Sequence, residues 1–314
     1  MTLFNHSLPK AVSLHMNNTT KNNDCQAIIF KKLLTKRNYN KPIIEHLRKV
    51  GETKQADCIE QCSTFIGITT IENVAHITKG SFCRQRLCNI CAWRRQSKFI
   101  TETKPVIDKL IERGYTFVFV TLTCRNVQSA QLSAQLDKLN SAYRKFINRK
   151  HIALGFCGSI RSIEVTYNAD TDTYHPHIHC LMAVKKNYFT SPSYLNHATV
   201  RGTWKECLDV DYEPMVHIEK IYGAVKDSTL ETIKYALKPT AYIAALETYR
   251  TALKGKRLIS YSGIFAEVRK ELRYTDNDIL TDTIMSDKPI YYNLYKLDCS
   301  GGYYKFVDTF TLHK

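Results

Sequence analysis

The sequence predicts an α+β fold, an antiparallel sheet of about four to five strands with helices on one face. Three observations point to it. Tyr115–Thr123 (YTFVFVTLT) is a run of β-branched and aromatic residues of strand length. Residues 128–149 repeat apolar side chains at helical spacing, with Leu132, Leu136, Leu139, Tyr143 and Phe146 on one face. Two further apolar runs, 158–167 and 176–184, flank the polar turn Asn168-Ala-Asp-Thr-Asp172 and read as a hairpin.

In chain order, residues 1–24 are polar and rich in Asn and Thr, which predicts a flexible tail. A helical segment is expected around 26–50, with Ile28, Ile29, Leu33 and Leu34 on one face and Ile43, Ile44 and Leu47 further on. After the hairpin, residues 191–208 read as a helix and 215–221 as a fourth strand. Residues 228–249 are helical again, with a break at Pro239. The order β-α-β-β-α-β followed by a helix is the ferredoxin-like arrangement. The expected organisation is a flexible and helical segment over 1–56, a cysteine-rich element over 57–104, the α+β domain over 105–250 and a C-terminal extension over 251–314. That extension carries Tyr291, Tyr292, Tyr295, Tyr303 and Tyr304 without a legible motif.

Charge narrows the partners. Lys and Arg number 45 against 29 Asp and Glu, a net charge of +16, which fits a polyanion whose counterions are released on binding. An apolar run of about 18 residues is missing, as is a signal peptide, so no membrane partner and a cytoplasmic location are expected. The 11 cysteines, an odd number without an export signal, argue against a disulfide framework.

The block His175-Pro-His177-Ile-His179 lies at the start of the third strand. Side chains alternate along a strand, so His177 and His179 share a face. With a hairpin closing near 171 or 172, Glu164 falls across from His179, and the three residues could hold Mn²⁺ or Mg²⁺ with open positions left for water or phosphate. In the helix that follows the fourth strand, Glu231, Tyr235 and Lys238 share a face at i, i+4 and i+7. Ser228-x-x-Glu231 also has the form of a capping box, which is the plain structural account of the glutamate. A phenol attacks phosphorus poorly unless nearby charge is offset, and a metal and lysine can offset it. Tyr242 competes for the role, but Pro239 intervenes.

Cys83-x4-Cys88-x2-Cys91 has zinc-knuckle spacing, with Cys62 and Cys58 both available as a fourth ligand. Around it Arg84, Arg86, Trp93, Arg94, Arg95 and Lys98 form a candidate DNA-contacting surface.

Jointly, Thr121-Leu-Thr123, the histidine block, Glu231-x3-Tyr235-x2-Lys238-Pro239, the cysteine motif with its trailing Ala-Trp-Arg-Arg, and Gly255-Lys-Arg-Leu258 resemble the rolling-circle plasmid replication initiators. These are HUH endonucleases of the group using one tyrosine plus a glutamate, and the resemblance spans about residues 58–265. It implies nicking of one strand at plasmid origin DNA, single-stranded or hairpin, by Tyr235 through a 5′-phosphotyrosine. Glu231 would activate water at termination, and a host helicase and polymerase would be the expected partners. It also implies Cys62 as the fourth ligand of a structural zinc, since Cys62-Ser-Thr-Phe matches the family's pattern. The rival readings are an HUH transposase or relaxase, a histidine-triad nucleotide hydrolase, and a non-catalytic zinc protein that binds DNA. The origin sequence, the native metal and the oligomeric state are not legible.

Overall fold

The computed structural model describes residues 20–72, 74–221, 243–272, 281–282 and 290–312. Two antiparallel sheets organise these residues. The N-terminal part contributes helices α1 (Thr20–Lys49) and α2 (Thr53–Glu60), a hairpin of β1 (Phe65–Ile71) and β2 (Val74–Gly80), and the long helix α3 (Asn89–Glu112). The α+β core follows with β3 (Tyr115–Thr123), α4 (Leu132–Ile147), α5 (Lys150–Gly155), β4 (Gly158–Asn168), β5 (Thr173–Lys185), α6 (His197–Leu208) and β6 (Val216–Lys220). The remainder supplies α7 (Leu246–Ala252), β7 (Ile259–Gly263), α8 (Ile264–Glu271), β8 (Ile290–Asp298) and β9 (Tyr303–Leu312).

The larger sheet runs β6-β3-β5-β4-β7, so β5 is its central strand. Successive side chains of a strand point to opposite faces, and β5 buries both. Ile178, Cys180, Met182 and Val184 join Val118, Val120 and Leu122 in the core under α4, which contributes Leu132, Leu136, Leu139 and Phe146. The sequence reading placed helices on this face only. The structure adds α3 and α8 on the other: Phe99, Val106, Ile107 and Leu110 of α3, with Phe265 and Val268 of α8, cover Phe117, Phe119, Leu181 and Ala183. The period of α3 was masked in the sequence by its arginine-rich first turns, and α8 by its place in a segment without motifs. The turn from β7 into α8 needs Gly263, whose φ of 53° is left-handed and whose absent Cβ would collide with the Cys157 carbonyl.

The smaller sheet, β2-β1-β8-β9, was not foreseen. It joins residues 65–68 to 293–296, so the tyrosine-rich C-terminal strands complete the sheet begun by the cysteine-rich element. Phe30 of α1 packs on it, stacked on Tyr304 at 4.9 Å and edge-on to Tyr295 at 5.0 Å.

Candidate active site and metal centres

The cover provided by α3 and α8 stops short of one end of the larger sheet. The next β5 residues on that face beyond Leu181 are His179, His177 and His175. Phe119 marks the boundary, its ring stacked on that of His179 with centroids 5.5 Å apart. The Nε2 atoms of His177 and His179 lie 3.1 Å apart, and Glu164 Oε2 lies 3.4 Å from the first and 3.0 Å from the second. This is the trio that the alternation of strand side chains predicts.

The register differs from the reading by two residues. Glu164 pairs with His177, and Ser162 with His179. The hairpin closes on Asn168 and Thr173 because the Asn168 Oδ1 accepts the backbone N–H groups of Asp170 and Thr171, while Asp172 takes a left-handed φ of 48°. A shift of two, unlike a shift of one, leaves every side chain on its face, so Glu164 still reaches both imidazoles.

The donor set fits a hard divalent cation. Octahedral coordination with bonds of about 2.0–2.1 Å separates neighbouring donors by about 2.9 Å, close to the spacings found here. The ring nitrogens turned away from this cluster are also engaged. His177 Nδ1 donates to the His175 carbonyl oxygen at 3.2 Å, and His179 Nδ1 lies 3.1 Å from Thr121 Oγ1. His175 turns aside, with its Nδ1 2.8 Å from Asn126 Oδ1. Burial alone would raise the Glu164 carboxyl, but the adjoining imidazoles of His177 and His179 override it and bring it down to about 2. The carboxylate therefore stays charged through the mildly acidic range. Its contribution to stability, complete above the ordinary carboxylate value, is lost only as the pH falls toward 2.

Tyr235, Glu231 and Lys238, with Pro239 and Tyr242, lie outside the described residues. Thr121 was part of a matched motif without a role, and Asn126 was not singled out at all. Their contacts depend on strand register, which the sequence pattern does not carry.

The second centre gathers Cys62, Cys83, Cys88 and Cys91, whose sulfurs all lie within 4.8 Å of one another. Cys91 Sγ is 3.6 Å from both Cys62 Sγ and Cys83 Sγ. Tetrahedral zinc with bonds of about 2.3 Å would set its sulfurs about 3.8 Å apart, so the cluster fits. Cys58 is exposed and outside it. The four ligands come from three local devices: Cys62 follows α2, Cys83 lies in the loop after β2, and Cys88 and Cys91 sit at the start of α3. Helix α1 braces them, with Arg37 donating to the Cys62 carbonyl at 2.8 Å and Asn40 Nδ2 to Cys88 Sγ at 3.3 Å. From the far end of the chain, Tyr304 Oη donates to the Ser63 carbonyl at 2.7 Å. Hydrogen-bonded neighbouring sulfurs push the Cys62 thiol up, whereas Cys88, accepting from the other three, is pushed down. A cation bound here would offset the repulsion among thiolates at this spacing.

The basic residues around the cluster differ in exposure. Arg84 is exposed, and Arg86, Trp93 and Arg95 are half-buried. The guanidinium of Arg86 donates to the Lys256 carbonyl at 2.9 Å and that of Arg95 to the Arg84 carbonyl. Arg94 is a correction: it is 4% exposed and pairs with Asp282 at 2.9 Å, whose other oxygen accepts the Ile77 N–H at 2.8 Å. Lys98 is likewise buried beside Glu102. Arg94 thus ties α3 to the edge of β2. Arg94→Ala is expected to cost about 3 kcal/mol of stability, since it strands a partly buried carboxylate. Urea denaturation checks this, and affinity for single-stranded DNA should stay unchanged.

No helix among the described residues is long and apolar enough to cross a membrane. A family model described as "Replication protein" matches residues 74–298. The chain is 32% identical over 261 residues to "Protein rep" of Streptococcus pneumoniae serotype 2 (strain D39 / NCTC 7466), covering 80% of this chain and 77% of that one. It is 31% identical over 253 residues to "Protein rep" of Bacillus amyloliquefaciens, covering 71% and 74%. It is 32% identical over 244 residues to "Protein rep" of Lactiplantibacillus plantarum, covering 72% and 77%. No solved structure matches. With a +16 charge, a histidine-carboxylate cluster toward one end of the larger sheet and this likeness across most of its length, the chain belongs to the Rep family of replication proteins, the rolling-circle plasmid initiators.

Proposed function

We propose that this Rep protein nicks one strand of its plasmid's origin DNA by metal-dependent transesterification, with Tyr235 as the nucleophile. The observation that carries the reading is the convergence of Glu164, His177 and His179 on one point of a sheet face beyond the residues that α3 and α8 cover. A divalent cation such as Mn²⁺ or Mg²⁺, held by these three residues, would polarise the scissile phosphate and screen its charge. The phenol oxygen of Tyr235 attacks phosphorus and loses its proton. The P–O3′ bond breaks, leaving a 5′-phosphotyrosine and a 3′-hydroxyl that takes up a proton and primes a polymerase. Bond energy is conserved, so nicking needs no nucleotide cofactor. Lys238, three residues after Tyr235 in the sequence, supplies positive charge to the phosphate. Glu231 acts at termination as the base that activates water for the second cleavage. The cysteine cluster holds structural zinc, and Arg84, Arg86, Trp93 and Arg95 contribute DNA contacts beside it. A host helicase and polymerase act downstream of the nick.

Incubation with supercoiled plasmid carrying its origin and Mn²⁺ tests the reading. The expected products are open-circular DNA and protein attached to the new 5′ end. Origin binding without nicking under any divalent metal would favour a non-catalytic zinc protein. Hydrolysis of small nucleotides with no adduct would favour a histidine-triad hydrolase. Glu231→Ala should leave nicking largely intact and accumulate the covalent adduct. Loss of nicking itself in that variant would assign Glu231 to helix capping instead.

A further inference from the structure

The two imidazoles of the cluster are oriented by chemically different partners. Neutral imidazole carries one proton, on Nδ1 or on Nε2, and the other nitrogen is the ligand. His177 Nδ1 faces the His175 carbonyl oxygen at 3.2 Å, a group that only accepts. Its proton is therefore held on Nδ1, its Nε2 is bare, and no side-chain substitution can remove the acceptor. His179 Nδ1 faces the Thr121 hydroxyl at 3.1 Å, a group that both donates and accepts.

We infer that Thr121 is the positioning residue of the cation site: its hydroxyl accepts the Nδ1 proton of His179 and so frees that ring's Nε2 to bind metal. The inference rests on the reading that Glu164, His177 and His179 hold a cation. In the contacts described, His179 Nε2 lies 3.0 Å from Glu164 Oε2 and 3.1 Å from His177 Nε2, both acceptors. These contacts call for the proton on Nε2, with the Thr121 hydroxyl donating to Nδ1. Metal ligation calls for the opposite tautomer. The proton then sits on Nδ1, and the hydroxyl turns its own hydrogen away to accept it, with no net gain or loss of protons. Register makes the pairing direct, because Thr121 of β3 lies opposite His179 of β5. Phe119, stacked on the ring, holds its plane. The His179 side chain is only 12% exposed, so an Nδ1–H facing an apolar group would go largely unpaired.

The test compares full-length wild-type protein with Thr121→Val and Thr121→Ser, each with the cysteine cluster metal-loaded, by calorimetric titration with Mn²⁺. Valine keeps the branched shape and strand preference but cannot accept a proton. Its affinity for Mn²⁺ is expected to fall about 10–100-fold, while serine stays within about threefold of wild type. In the nicking assay, valine should raise the Mn²⁺ concentration for half-maximal rate and leave the rate at saturating Mn²⁺ close to wild type. Wild-type affinity in Thr121→Val, or a serine variant as weak as valine, would overturn the assignment. The cation reading beneath it fails separately, if wild type and His177→Ala give the same Mn²⁺ titration.

Discussion

Tyr235→Phe is expected to form no covalent adduct with origin DNA while binding Mn²⁺ as the wild type does, and His179→Ala to lose both. In the proposed mechanism the phenol oxygen is the atom that bonds to phosphorus, and loss of a covalent nucleophile costs on the order of 10⁴-fold or more in rate. His179→Ala removes one of three converging donors and leaves the Glu164 carboxylate without its shortest contact, 3.0 Å. Electrostatic stabilisation of about 3–4 kcal/mol lost from the transition state would slow nicking about 10²–10³-fold. Adduct formation on a radiolabelled origin oligonucleotide, run beside Mn²⁺ titration, reads both effects. An adduct that persists in Tyr235→Phe would move the nucleophile to another tyrosine, Tyr242 first. Unchanged Mn²⁺ affinity in His179→Ala would remove the cation from this cluster.

The cysteine cluster carries the other large effect. Cys91→Ser, or removal of metal by a chelator, is expected to destabilise the protein by on the order of 5 kcal/mol, less than the ~10–16 kcal/mol that zinc contributes to isolated fingers. The difference is expected because Cys62, Cys88 and Cys91 belong to one buried core with Ile43, Leu47, Ile59 and Ile66, whose apolar burial does not require the metal. Cys91 lies at the centre of the cluster, 3.6 Å from two of its partners, and joins α3 to the end of α2 and the loop after β2. Cys58→Ser, at an exposed position outside the cluster, should change stability by less than about 0.5 kcal/mol. Urea unfolding with zinc release followed by a chromogenic chelator distinguishes the cases. Equal midpoints for wild type and Cys91→Ser would show that the sulfurs meet without holding a metal.

The histidine-carboxylate cluster of the candidate site was legible because the alternation of strand side chains survives a change of register. His177 and His179 share a face under any pairing, and a two-residue slip keeps Glu164 with them. What closes the hairpin, Asn168 bonding its own turn, could have been weighed but does not announce a register. The cluster's fourth cysteine came from likeness to known sequences, since spacing alone left Cys58 and Cys62 equal. Arg94 misled because a run of arginines at a helix start looks solvated. Its burial is decided by Asp282, 188 residues away in the chain. The smaller sheet escaped for the same reason: Tyr295 and Lys296 read as unremarkable until Phe65 and Ile66 are set beside them.

That long-range pairing bears on synthesis at the ribosome. Strand β1 emerges early, yet the neighbour on one of its two sides, β8, is made more than two hundred residues later. Until then β1 presents an open hydrogen-bonding edge, the kind of surface that recruits other chains. The finished sheet, and the Tyr304 clasp on Ser63 beside the cysteines, exist only once translation has passed β9. Prematurely terminated products should therefore be cleared or aggregate rather than persist as partly folded replication proteins.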